Sequence, residues 1–92
     1  MSIKVGEKYY FVVHAYHHLL GEVVEVTGRK ECVLKNVIRV QSCSRDWTQF
    51  FRDGCKEDTT FTVWPDGTEV SGWFIVVPWP HPIPGGKNAS RR

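Results

Sequence analysis

Four histidines and three cysteines are the residues of this 92-residue chain that could bind a metal ion. His14 and His18 would share one face of an extended strand, while His17 would point to the other face. A zinc site needs three or four converging ligands, and no cysteine or carboxylate stands at a spacing that supplies the rest. We therefore expect no metal and no other cofactor, and we interpret these histidines as polar residues at a strand end.

No pattern in the sequence places a nucleophile beside a general base. Cys-His and Ser-His pairs can be drawn from the composition, but no spacing fixes either pair. No glycine-rich loop precedes a helix in the way that phosphate-binding loops do. A single thin domain also has little room for a deep pocket. We therefore predict no catalytic residues and no enzymatic activity.

Cysteine usage and hydropathy indicate the environment of the chain. Cys32, Cys43 and Cys55 are odd in number and lack the close pairing of a CxxC motif, which favours a reducing compartment. A disulfide between Cys43 and Cys55 stays open as an alternative. No apolar run is as long as a membrane span, and the first residues do not resemble a signal peptide, so no membrane partner is expected.

Basic side chains are the strongest candidates for ligand binding. Arg29 and Lys30 follow Gly28 in a short turn, and Lys35 and Arg39 would lie on one face of the strand behind it. Such a surface could follow a phosphate backbone, with tyrosine or histidine rings for base stacking. The alternative is a normally solvated turn, since 12 Lys and Arg against 10 Asp and Glu give a net charge of only +2.

The C-terminal residues 85–92 are rich in glycine and basic side chains. We expect this segment to be a flexible tail beyond a single barrel domain that spans residues 1–84. Arg91 and Arg92 are weaker candidates for phosphate contacts.

The elements that must position these side chains are mainly β-strands. Residues 9–18, 22–27 and 31–40 are rich in β-branched and aromatic residues and are predicted as three strands. Gly21 permits a sharp bend after the first strand, and residues 28–30 supply a tight turn after the second. A meander of this kind is the first half of a small, strongly bent barrel.

The apolar pattern changes to a helical period after residue 43. Trp47, Phe50 and Phe51 stand at positions i, i+3 and i+4, which predicts a short helix of about two to three turns. Ser44 suits its N-cap, and Gly54 suits a left-handed residue at its end.

Two further strands, residues 59–64 and 68–77, flank a proline-aspartate-glycine turn. The four prolines of residues 78–84 cannot join the middle of a sheet. We expect this segment to end the last strand and to lie across the barrel, with Trp79 and Ile83 as anchors. The twelve aromatic rings of the chain are many for its length. They either fill the core or lie on a surface that another subunit covers.

The order of these elements resembles the Sm-like fold, a five-stranded, SH3-like bent barrel with an insertion, here the helix, between strands three and four. The segments GEVVEV (21–26) and CVLKNV (32–37) are similar to the first motif of that family, and residues 70–77 resemble its second motif around a glycine. More closely, residues 5–84 resemble small phage-associated Sm-like proteins of the environmental or cyanophage type. The start GEKYYF, the turn PDG and the ending PWPHPIP carry this likeness.

The resemblance implies a homo-oligomeric ring of about five to seven copies in the host cytoplasm, in which edge strands of neighbouring subunits pair. It also implies binding of single-stranded RNA or DNA at the loop that holds Arg29 and Lys30. Sm proteins place an Asp and an Asn in that loop, and an Arg before the glycine of the second motif. This chain has residues 27–31 and Ser71 in those places, so the expected contact is electrostatic and low in sequence specificity.

Two other functions remain open. A phage virion component, such as a capsid or tail decoration or ring protein bound to capsid proteins, fits the same resemblance and would be located in the virion. A peptide-binding barrel of the SH3 type is the third hypothesis.

Overall fold

The computed structural model describes residues 3–14 and 17–84 of the chain. In these ranges the secondary structure is mainly β with one short helix between the third and fourth strands, as predicted, but there are six strands where five were expected. The elements are β1 (Lys8–Val13), β2 (His17–Gly28), β3 (Glu31–Cys43), α1 (Trp47–Asp53), β4 (Thr59–Trp64), β5 (Thr68–Ser71) and β6 (Ile75–Pro78). All strand pairs are antiparallel, in the order β4-β3-β2-β1-β6, and β5 pairs with the first part of β3.

The first chain reversal lies before the predicted position at Gly21. β1 ends at Val13, which pairs with His17 of β2, so the predicted strand over residues 9–18 is in fact a hairpin. His14 starts this turn with φ of +58°, in the left-handed region that non-glycine residues rarely adopt. The sequence carries no glycine, proline or asparagine there, so no local signal marks the turn and the β-strand pattern continues through it.

Gly21 lies inside β2, opposite a bulge of β3. The register of β2 against β3 shifts between Leu20 and Glu22, which marks a bulge. A Cβ atom at Gly21 would lie only 2.8 Å from Cδ1 of Leu34, so glycine allows the two strands to approach closely where the sheet curls. The prediction that the first strand ends at Gly21 is wrong, because β2 runs through this residue.

A bulge in β3 changes which side chains share a face. Asn36 has φ of +53°, and Leu34 and Val37, three positions apart, lie in the same core. Strict alternation is therefore broken between Lys35 and Arg39. The prediction that these two cations lie on one face is wrong for this reason.

β4 and β5 run in the same direction along β3, on either side of the Asn36 bulge. The proline-aspartate-glycine turn between them therefore bends the chain without reversing it. Asp66 Oδ1 accepts the backbone N–H of Asn36 at 2.9 Å, and the Gly67 N–H donates to the Leu34 carbonyl oxygen at 2.8 Å. These two bonds fix the turn between β4 and β5 against the bulge of β3.

The sheet carries a core on each face. β1 and β5 are not neighbours in the sheet, yet their side chains share the first core, so the sheet curls on itself to enclose it. The second core lies under α1 and the proline-rich segment. The first comprises Tyr9, Phe11, Val13, Leu19, Val23, Cys32, Leu34, Val37, Val70 and Trp73, and the second Tyr10, Leu20, Ile38, Val40, Phe50 and Trp79.

Helix α1 covers the second core with Phe50, which is fully buried. Its N-cap is Asp46, whose Oδ1 accepts the Gln49 N–H at 2.9 Å, and not Ser44 as predicted. The Ser44 hydroxyl instead donates to Asp58 at 2.7 Å. The predicted helix end is confirmed, because Gly54 has φ of +83° and donates its N–H to the Phe50 carbonyl oxygen.

Residues 79–84, called the strap below, return across the second core. Trp79 is 2% exposed and donates its backbone N–H to the Lys8 carbonyl oxygen at 3.0 Å. Nε2 of His81 donates to the carbonyl oxygen of Phe51 at 2.8 Å. The predicted anchoring by Trp79 and Ile83 is confirmed, since both pack in this core. The chain itself thus buries many of the aromatic rings that could have required another subunit.

Candidate nucleic-acid interface

Arg29 and Lys30 lie at the tip of the β2–β3 hairpin and border a groove of about 510 Å³. The other side of this groove is formed by residues 73–76, which include the end of the connection from β5 to β6 and the start of β6. Glu31 pairs with Ser71, and the Gly72 N–H donates to the Lys30 carbonyl oxygen at 2.9 Å. The hairpin tip and the connection are therefore held side by side by backbone pairing.

The connection gives the groove an aromatic wall. Trp73 is 5% exposed and packs on Phe11 with ring centroids 5.0 Å apart, whereas Phe74 is 68% exposed. The Phe74 N–H donates to the carbonyl oxygen of Val12 at 2.8 Å, which fixes its backbone against β1. With Trp73 turned inward, Phe74 presents its ring to solvent beside the two cations, and Ile75 next to it is 49% exposed.

Sequence reasoning missed Phe74 as a site residue. The signal was present in two adjacent aromatic residues after Gly72, because alternation along a strand sends one of two neighbours outward. Which one points outward depends on the pairing of β6 with β1, which no local pattern specifies.

The charge of the groove is positive but modest. Arg29 and Lys30 are both exposed, and the six residues that line the groove in the described part of the chain include no carboxylate. Glu31 is the nearest acid in sequence, and its carboxylate lies over Gly28, where a Cβ atom would be 2.7 Å from Oε1. The tip therefore offers an anionic ligand two cations that form no ion pair with the described residues, and one carboxylate lies behind them.

The remaining predicted cations do not line this groove. Lys35 is exposed and forms a 3.8 Å ion pair with Glu22, across the β2–β3 ladder. Arg39 lies eight residues beyond Glu31, roughly 25 Å along the curved strand, and is half-buried. Arg91 and Arg92, together with the rest of the predicted tail, lie outside the described residues.

The histidines are dispersed in a way that the sequence did not predict. His14 lies in the hairpin turn and His18 in β2, so they do not share a strand face. The His18 ring lies parallel to Trp47, at 4.4 Å and 8°, and its Nδ1 is hydrogen-bonded to the Tyr10 hydroxyl. Burial raises the pKa of Tyr10, so the hydroxyl stays protonated and donates. Burial first, and then the charges of Arg39 and His17, lower the pKa of His18.

The stability of the fold is therefore expected to fall as the pH is lowered from about 7.5 to 5. Because the pKa of His18 is lower in the folded protein than its ordinary 6.5, the unfolded chain binds the proton first. The stabilisation is complete above about 6.5, declines as the pH falls toward the folded pKa, and levels off below it. Urea unfolding at several pH values measures the effect, and His18→Asn, whose amide oxygen can replace Nδ1 as the acceptor, should flatten the profile. An unchanged profile in this variant would assign the dependence to other groups.

Two of the three cysteines offer little reactivity. Cys32 is buried, Cys43 and Cys55 are half-buried, and all three are free thiols. Burial raises the pKa of Cys32 and of Cys55 to about 11, so these two groups are not thiolates near neutral pH. The thiol of Cys43 lies 3.6 Å from Oδ2 of Asp58.

Metal and membrane features are not found in residues 3–14 and 17–84. No three histidine, cysteine, aspartate or glutamate side chains converge there on a point that could hold a metal ion. None of the helical structure in the same ranges combines the length and the apolar character of a bilayer-crossing segment.

Comparison with known proteins gives no match to this chain, whether among protein-family models, curated proteins or solved structures.

Proposed function

We propose that this chain is a phage-encoded, ring-forming Sm-like protein that binds single-stranded RNA or DNA with low sequence specificity. The observation that carries the proposal is the groove in which Arg29 and Lys30 stand beside the exposed ring of Phe74. Proteins that bind single strands without sequence preference combine cations that follow the backbone with aromatic rings on which bases stack. The groove offers both within one surface.

The chemistry of the lining supports low specificity. Reading base identity requires a set of hydrogen-bond donors and acceptors aimed at base edges, and the acceptors come from amide, carboxylate and hydroxyl side chains. The groove is lined by two cations and by four apolar or aromatic residues. Phosphate attraction and stacking are tolerant of sequence, and they are the interactions that this lining can make.

The Sm-like part of the proposal is supported by topology and by the resemblance of residues 5–84. If β4 and β5 are counted as one strand bent opposite Asn36, the sheet has five strands in the order β4/β5-β3-β2-β1-β6. β4 and β6 then form the two open edges. Head-to-tail pairing of these edges in a closed ring removes both of them. A native mass of one subunit, unchanged on addition of an oligonucleotide, would contradict the ring.

The test of the groove is the double substitution Arg29→Ala with Lys30→Ala. If each cation neutralises one phosphate, the slope of log affinity against log salt for a single strand should become shallower by about 1.4. Fluorescence anisotropy with a labelled oligonucleotide between about 50 and 200 mM salt measures this slope. A matched control replaces Arg52 and Lys56, two exposed cations that do not line the groove, and should leave the slope unchanged.

Phe74→Ala tests the stacking half of the same groove. The loss expected is about 5- to 150-fold in affinity, because stacking of one base contributes about 1–3 kcal/mol. The salt slope should stay the same, since no charge is removed. Wild-type affinity in both the double variant and Phe74→Ala would rule out this groove as the binding site.

A virion structural component is the second candidate function. The observation that favours it is the exposure of Val24 and Val26 on β2, apolar side chains that do not line the groove and that another protein could cover. Electron microscopy of phage particles separates the two functions, because a structural protein is present there in stoichiometric copies.

A further inference from the structure

We propose that the nucleic-acid surface continues from the groove to the β1–β2 hairpin, where His14, His17 and Arg39 form a second phosphate-binding patch that strengthens binding as the pH falls. This inference rests on the proposed function and extends it. The three residues are called the histidine patch below. The consequence is that acidification changes how tightly the protein holds a single strand.

The patch begins where the groove ends. Phe74 donates its N–H to the carbonyl oxygen of Val12, and β6 starts with Ile75 paired to Val12. The chain of β1 continues from Val12 for only two residues to His14, which is exposed. A strand stacked on Phe74 and extended by one or two nucleotides would therefore reach the hairpin.

His14 and His17 lie together at this hairpin. Their rings meet edge to face with centroids 5.7 Å apart. Arg39 is the cross-strand partner of Leu19, so it occupies the same face of the sheet as His17, at a diagonal position on the neighbouring strand. Burial first, and then the charges of Arg39 and His17, lower the pKa of the neighbouring His18.

Arg39 has unused hydrogen-bonding capacity. Its Nε atom is buried and has no partner among the described residues. The Nε atom itself lies out of a ligand's reach, so an acceptor that arrives from solvent would meet the terminal Nη groups of the guanidinium, which share its positive charge. A phosphate oxygen is such an acceptor.

No carboxylate in the described parts of the surrounding strands compensates the positive charge of Arg39. The described parts of β1, β4 and β6 contain no aspartate or glutamate, and neither do the facing segments of β2 and β3, residues 17–21 and 37–43. The charged side chain of β1 is Lys8, at the far end of the strand. On the opposite face, His18 stacks on Trp47 of α1, where Asp46 caps the helix and Asp53 bonds Arg52. The histidine patch therefore faces only positive or neutral groups from the elements packed around it.

Histidine is the side chain that ordinarily changes its charge between pH 5 and 8. Two protonated histidines against phosphate add two counterion-release contacts to those of the groove. For a thymidine homopolymer, whose bases do not gain a proton in this range, binding is expected to be about 10-fold tighter at pH 5.8 than at pH 7.8, at equal ionic strength.

The experiment measures this ratio by anisotropy for the wild type and for two double variants. His14→Asn with His17→Gln should reduce the ratio to about twofold, and asparagine suits the left-handed backbone at position 14. His14→Lys with His17→Lys should bind at pH 7.8 about as tightly as the wild type at pH 5.8. Circular dichroism at both pH values confirms that each protein is folded.

The outcomes separate the patch from the groove. A full pH response in the neutral double variant, or no gain of affinity in the lysine variant, overturns the histidine patch while the Arg29 and Lys30 result stands. If the wild type binds the homopolymer at neither pH, the proposed function fails and the patch fails with it.

Discussion

Trp79→Ala is expected to lower the free energy of unfolding by about 3–5 kcal/mol, the usual cost of truncating a buried tryptophan. The indole is 2% exposed, and it packs against Tyr10 and Phe50 with centroids 6.2 and 5.1 Å apart. Its removal leaves a cavity in the second core and frees the strap. The total free energy of unfolding of a native domain is about 5–15 kcal/mol, so the variant should be close to unfolding at 37 °C. Urea unfolding followed by near-ultraviolet circular dichroism measures the loss.

Phe74→Ala is the matched control, since it also truncates a large aromatic ring but at a site that is 68% exposed. Its effect on stability should be within about 0.5 kcal/mol. A cost below about 1 kcal/mol for Trp79→Ala would show that the strap does not pack on the sheet in solution.

Gly54→Ala is expected to lower the free energy of unfolding by about 2–4 kcal/mol, through backbone strain and a collision. Gly54 has φ of +83° and ψ of −170°, a region that is essentially restricted to glycine. An added Cβ atom would lie 2.9 Å from Cγ of His81 and 3.0 Å from its Cβ. The strap would have to shift, and His81 would lose its bond to the Phe51 carbonyl oxygen.

Two comparisons separate strain from collision. Gly67→Ala introduces a side chain at φ of +90° with no atom within 4 Å of the new Cβ, so only strain remains, at about 1–3 kcal/mol. In a His81→Ala background, Gly54→Ala should lose part of its cost, because the imidazole ring is absent and only the contact with the Cβ atom at position 81 remains. Equal costs in both backgrounds would contradict a contact between the helix end and the strap.

The elements that sequence reasoning predicted correctly have local signals. The hairpin tip at Arg29 and Lys30 follows a glycine, the helix has an aromatic stripe, and prolines end the last strand. The missed features have a weak local signal or none. His14 takes a left-handed conformation although it is not a glycine. Asn36 belongs to a residue type that adopts this conformation more readily than most, but its bulge also depends on the pairing of β3 with β2 and β4 and on the bond to Asp66.

In the candidate site too, the residues with a local signal could be predicted and the others could not. The two cations could be predicted because a turn between strands exposes its side chains. Phe74 could not, because its exposure depends on the closure of β6 onto β1. Lys35 and Arg39 were assigned to one surface by counting alternate residues, and one extra residue in the strand separated them.

The two-sided burial of the sheet limits where any ligand can approach. Val37 and Ile38 are adjacent in β3, and both are completely buried, each in a different core. The broad surfaces that many small β-proteins offer to their ligands are thus already occupied by the protein's own side chains at the middle of this sheet. Ligands must then bind at the periphery of the sheet, where strands end and turns project. Substitutions that alter binding should cluster there, whereas substitutions at the centre of the sheet should destabilise the fold.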